Sequence, residues 1–156
     1  MNAAVAVTVD DSSSLKWASS FHAYPEASRP RPIRLGWQRV PPWANVVIPR
    51  LVELGALPSV DPRGSRPLDT DDVIEALNFL SRVMRDDTMP PWIGRLSTGG
   101  VQLTWRSDDV EVEAVFDRAR DERDLMVTVG ENEWDAPAAE ADSLFATVVD
   151  RLSRPL

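Results

Sequence analysis

At Pro90-Pro91 the apolar residues of this chain change their spacing, and that change fixes the class of fold open to it. Before the prolines, Val73, Leu77, Leu80 and Met84 recur at steps of three and four residues, with Ile74, Ala76, Phe79 and Val83 widening the stripe. Such steps line apolar side chains along one face of an α-helix. After the prolines, Val101, Leu103 and Trp105 alternate with Gln102, Thr104 and Arg106, and Val110, Val112, Ala114 and Phe116 alternate with Glu111, Glu113 and Val115. Alternation buries one face of a strand and leaves the other wet. Helices followed by a run of neighbouring strands predict an α+β fold.

The pattern divides into two N-terminal helices, a four-stranded antiparallel meander and a C-terminal helix packed on the sheet. The first helix runs from about Asn45, its N-cap, to Leu54, with Val47, Leu51 and Leu54 on one face and Gly55 as its stop. Pro49 is tolerable there only near a first turn, where no backbone N–H is needed. Asp69 caps the second helix, Asp71 and Asp72 occupy its first turn, and Arg82 and Arg85 its last, each sign suited to the helix dipole. The strands are Trp92–Leu96, 101–106, 110–116 and Leu125–Val129, with a charged loop over Asp117–Asp124. The last helix spans about Ala136 to Ser153, capped by Asp135, with Leu144, Phe145, Val148, Val149 and Leu152 facing the sheet.

Residues 1–36 lack helical periodicity and read as a flexible N-terminal arm, so residues 37–156 form the single α+β domain. Within the arm, Ala3–Val9 alternates well enough to add as an edge strand, and Trp17 and Phe21 are spaced for one helical turn.

Charge and composition narrow the function. The chain carries 25 acidic against 17 basic residues, a net charge of −8, which disfavours direct binding to nucleic acid or an anionic membrane. All the basic residues but Lys16 are arginine, and the Ala, Val, Pro and Asp usage matches a G+C-rich coding sequence, pointing to a bacterial or phage source. With no cysteine, thiol catalysis and thiolate zinc sites are excluded. No apolar run reaches the ~18 residues of a membrane helix, and Met1–Val9 has no positive region before Asp10 and Asp11, so a cytoplasmic location is expected.

No nucleophile elbow, phosphate loop or zinc helix occurs, and the single histidine, His22, lies in the arm. A non-enzymatic protein without cofactor is therefore expected. The best carboxylate pair, Glu111 and Glu113, projects from one face of a strand beside Asp108 and Asp109, where a hydrolase could hold Mg²⁺ or Ca²⁺. A solvated sheet face kept soluble by alternating charge is the simpler account. Binding of another protein fits better. Arg29, Arg31, Arg34 and Arg39 interleave with proline around Trp37, while Trp43 and Trp134 stand at element margins, and arginine and tryptophan dominate binding hot spots. Two alternatives remain: an acidic mimic of nucleic acid that regulates a nucleic-acid enzyme, and the carboxylate-dependent hydrolase.

The stretch Gly99-Gly100-Val101-Gln102-Leu103-Thr104-Trp105, after Pro91 and before Val110-Glu111-Val112-Glu113, resembles a hairpin in small uncharacterised bacterial proteins. Those carry a G-G-[VI]-Q-L-E-W strand between a proline-led strand and an alternating strand, and the likeness covers about residues 51–116. Thr104 stands where they have glutamate, and Ser59–Gly64 where they have an N-W-D-x-x-G-A element. The resemblance implies the α+β fold and a bacterial source, and it lends no catalytic residue.

Overall fold

The computed structural model describes residues 4–9, 15–20, 34–35, 40–57 and 66–153. Near the N-terminus the strands Ala4–Val9 (β1), Leu15–Ser20 (β2) and Arg34–Leu35 (β3) pair antiparallel in the order β1-β2-β3, as a sheet of their own. The valine alternation of β1 is therefore a strand signal, but its partner is β2, nearby in sequence, and not an edge of the meander. Trp17 belongs to a strand, not to a helical turn with Phe21, which lies outside the described residues.

Helix α1 spans Ala44–Ala56. Pro41 and Pro42 start it: the N–H groups of Ala44 and Asn45 donate to their carbonyls at 3.0 and 3.2 Å, and proline's fixed φ suits a helix entry. Asn45 is thus inside the helix and Trp43 is the N-cap, with no side-chain hydrogen bond in that role. Pro49 and Gly55 are both accommodated within the helix, which stops only at Leu57. Val47, Ile48, Leu51 and Leu54 go into the core, and this burial outweighs weak local propensity.

Helix α2, Thr70–Val83, is capped by Asp69, whose carboxylate accepts from the N–H groups of Asp71 and Asp72 at 2.8 and 3.3 Å. It ends at Met84, ahead of the two prolines.

The large sheet has five strands, not four: Trp92–Arg95 (β4), Val101–Ser107 (β5), Val110–Asp117 (β6), Glu122–Val129 (β7) and Asn132–Pro137 (β8). All pair antiparallel in sequence order. β7 begins inside the stretch expected to be a charged loop. β8 fills the interval between the expected fourth strand and the last helix, entered by a two-residue turn whose Gly130 has φ +59°. Its sequence, Asn-Glu-Trp-Asp-Ala-Pro, buries only Ala136, because an edge strand under little cover needs no apolar alternation. Asp135 accordingly pairs with Met126 in the ladder and caps nothing. Helix α3, Ala138–Leu152, follows β8 directly, with Pro137 as its N-cap.

Helix α1 lies against β4, α2 against β5 and β6, and α3 across β5 to β8. The side chains buried with them are the alternation set: Leu103, Trp105, Val112, Leu125 and Val127. Trp105 is the centrepiece, fully buried, its ring edge-on to Phe145 at 5.1 Å, which in turn meets Phe79 at 5.8 Å. Arg82–Asp142 and Arg85–Asp150 pairs tie α2 and its C-terminal extension to α3. Among the described residues no helix is long and apolar enough to cross a membrane.

Candidate functional site

Side chains alternate across a sheet, so the residues that do not join the core line the opposite face. The register puts Trp92, Thr104, Glu113, Met126 and Asp135 opposite one another in a single row, one from each of the five strands. At ~4.8 Å between strands this row is about 19 Å long. Beside it run Gly94, Gln102, Val115, Asp124 and Pro137, and on its other side Arg106, Glu111, Thr128 and Glu133.

Two shallow depressions lie along the central row and meet at Glu113. One, of about 600 Å³, is lined by Met89, Pro90, Trp92, Gln102, Thr104 and Arg106 together with Glu113. The other, of about 460 Å³, is bounded by Glu113, Val115, Asp124, Met126 and Asp135. Trp92 is 60% exposed at one end, a large apolar surface left in water.

The charges on this face are unbalanced. Arg106 reaches Glu111 with two of its nitrogens, at 3.0 and 2.7 Å. Among the described residues no cation pairs with Glu113, Asp124, Glu133 or Asp135. On the helix side, by contrast, Asp71, Glu75, Asp109, Asp142 and Asp150 each have an arginine partner. The Glu111 carboxylate is therefore hydrogen-bonded to Arg106, while that of Glu113 lies near the same guanidinium without an ion pair. Among the described residues no group of three or more His, Asp or Glu is placed to hold a metal ion.

A second acidic cluster is structural in character. Asp72 is 1% exposed at the start of α2, where its carboxylate accepts from the Arg118 N–H at 3.2 Å. Burial raises its pKa to about 6, against the lowering effect of that N–H, and the negative charges of Asp69, Asp117 and Glu75 add to the rise. Asp117 is fully buried nearby, accepting from the Ala119 N–H at 3.1 Å and from the Thr98 hydroxyl. Around this joint the Arg66 N–H donates to Ser97 O and the Asp69 N–H to Gly99 O, both at 2.8 Å. A Cβ on Gly99 would lie 2.4 Å from Pro67 O, and one on Gly100 2.7 Å from Phe116 O. Gly99 and Gly100 are thus where the β4–β5 hairpin clamps the entry to α2.

The residues singled out in the sequence are scattered. Arg29, Arg31, Trp37 and Arg39 lie outside the described residues, and Arg34 is described only as backbone in β3. Trp43 is 3% exposed and belongs to the core, so its indole presents no surface for a partner. Trp134 is 47% exposed on β8, but its register partner Val127 places it on the helix side of that edge. Neither Trp43 nor Trp134 lies on the open row. In the sequence pattern Trp92 does no more than open a strand. The parity of Trp92 against buried Ile93 was the available signal. No protein-family profile, curated protein or solved structure matches the chain.

Proposed function

We propose that the chain is a non-enzymatic, protein-binding subunit or regulator, acting in the cytoplasm of a bacterium or on behalf of a phage, and that its partner docks on the open face of the five-stranded sheet. The observation that carries the reading is the furrow along Trp92, Thr104, Glu113, Met126 and Asp135, which ends in a tryptophan 60% exposed. Exposed tryptophan in a concavity with a polar surround is the usual make-up of an interface anchor. The arginine segment 29–39 supplies a second contact of opposite sign.

The test is affinity capture by the immobilised full chain from cells that make it. The expected result is a protein retained in stoichiometric amount, lost when Trp92→Ala is combined with Met126→Ser and kept with Arg82→Ala on the helix side. Retention of the same protein by the sheet-face variant, with an unchanged unfolding temperature, would remove this face as the docking surface.

A further inference from the structure

Resting on that reading, we propose that the sheet face takes an extended, arginine-bearing segment of the partner, laid across the strands from Trp92 to Asp135. Length is the first argument. A furrow of about 19 Å accommodates about six residues of extended chain at ~3.3 Å each. Two depressions joined end to end at Glu113 suit a narrow occupant better than a broad one.

Charge is the second argument. Among the described residues no cation forms an ion pair with Glu113, Asp124, Glu133 or Asp135, and the one arginine of these described strand rows, Arg106, which lines the depression beside Glu113, is held by Glu111. A basic segment neutralises this face, whereas an acidic or purely apolar one leaves the carboxylates unpaired under it. A second copy docking face to face would set like charges against each other.

The choice of arginine over lysine comes from Trp92 and Glu113, which line the same depression. A guanidinium is planar, so it stacks on an indole while its fork of N–H groups meets a carboxylate. An ammonium meets the carboxylate as a point charge and stacks poorly. Side chains at alternate positions of an extended segment point the same way, so a segment with arginine at every second residue presents a guanidinium to Glu113 and another to Asp135.

Titration calorimetry with the full chain and an octapeptide of four Arg-Ser repeats tests this, alongside its Lys-Ser counterpart. At about 50 mM salt the arginine peptide binds, and at about 300 mM it binds several-fold more weakly. The lysine peptide is weaker by at least about threefold, a difference that Trp92→Ala abolishes. Glu113→Gln with Asp135→Asn weakens binding at least about tenfold, while Asp109→Asn with Asp150→Asn, an equal change of charge on the helix side, leaves it within about twofold. Equal losses from the two double variants would mean that only net charge is sensed, and the proposal fails. It fails also if binding appears only once Arg29, Arg31, Arg34 and Arg39 are replaced by serine, since the occupant is then the chain's own segment. Should the peptide not bind while the Trp92→Ala, Met126→Ser variant still loses the captured partner, the docking face stands and its arginine specificity does not.

Discussion

The indole of Trp92 lies over Gly94, two residues further along the same strand, so closely that a β-carbon there would come within 2.6 Å of Cη2 and 2.7 Å of Cζ3. Gly94 is buried under the ring, while the ring itself stays largely exposed. The missing side chain makes room for the indole against the sheet, at the edge of the depression that it lines.

Gly94→Ala is expected to unseat the ring without unfolding the strand. The ring is the free end of an exposed side chain and swings aside, and alanine is preferred to glycine in a strand by about 0.5–1 kcal/mol, so the net change in stability stays within about 1 kcal/mol. The Trp92 indole N–H resonance should move, and affinity for the Arg-Ser peptide should fall by at least about threefold. A loss of stability beyond about 2 kcal/mol would show that the glycine serves the backbone instead.

Asp72 sets a pH dependence of opposite sign to the usual acid. Its folded pKa of about 6 lies above the ordinary 3.8, so the folded state holds the proton more tightly than the unfolded chain. Its contribution to stability is therefore best at low pH, declines as pH rises from about 4 to 6, and is a standing penalty above that. Asp72→Asn keeps an oxygen for the Arg118 N–H and removes the buried charge. Chemical denaturation at pH 7 should find the variant more stable by about 1–3 kcal/mol, with the gain vanishing near pH 4. A variant less stable than the parent at pH 7 would mean that the ionised carboxylate is needed at the joint.

Gly99 and Gly130 separate two costs of a side chain. Both have positive φ, +97° and +59°, but a Cβ on Gly99 meets the backbone oxygen of Pro67 at 2.4 Å while one on Gly130 meets nothing within 4 Å. Pro67 cannot retreat, because Arg66 and Asp69 on either side are hydrogen-bonded to the same hairpin turn. Thermal unfolding should show Gly99→Ala losing roughly 2–4 kcal/mol and Gly130→Ala only about 1 kcal/mol. Equal losses would reduce the clamp to a matter of backbone angle.

In the core, Leu77→Ala and Trp105→Ala should each cost roughly 2–5 kcal/mol, since both side chains are fully buried. Trp105→Phe should be milder than alanine by at least about 1 kcal/mol, because it keeps a ring against Phe145 and removes an indole N–H that has no hydrogen-bond partner among the described residues. If phenylalanine is as damaging as alanine, that N–H is satisfied in solution.

Much of this architecture was legible in local pattern. The helical stripe of Val73, Leu77 and Leu80, its Asp69 cap, and the alternation of Val101–Trp105 and Val110–Phe116 are each dictated by one element's own burial, and these elements formed, although α2 stops at Val83 and leaves Met84 and Arg85 outside it. Where burial is slight, pattern is silent. β8 was invisible because an edge strand with a single buried residue has no alternation to show. The valine alternation of β1 was legible, but its partners β2 and β3 were not, because strands pair through backbone groups that every residue carries.

The sequence by itself determined that helices precede an antiparallel sheet, since the change of spacing at Pro90-Pro91 is a property of neighbours along the chain. Only the tertiary structure decided what the polar half of the strands is for. Trp92, Glu113 and Asp135 are far apart in sequence, and it is strand register, set by the burial of their alternate neighbours, that brings them into one row. The same holds for Asp72: at the head of a helix it reads as a solvated charge, and only the packing of the β6–β7 turn over it excludes water and raises its pKa. Spacing reports what a residue's own element needs, whereas desolvation and charge balance depend on what other elements place beside it.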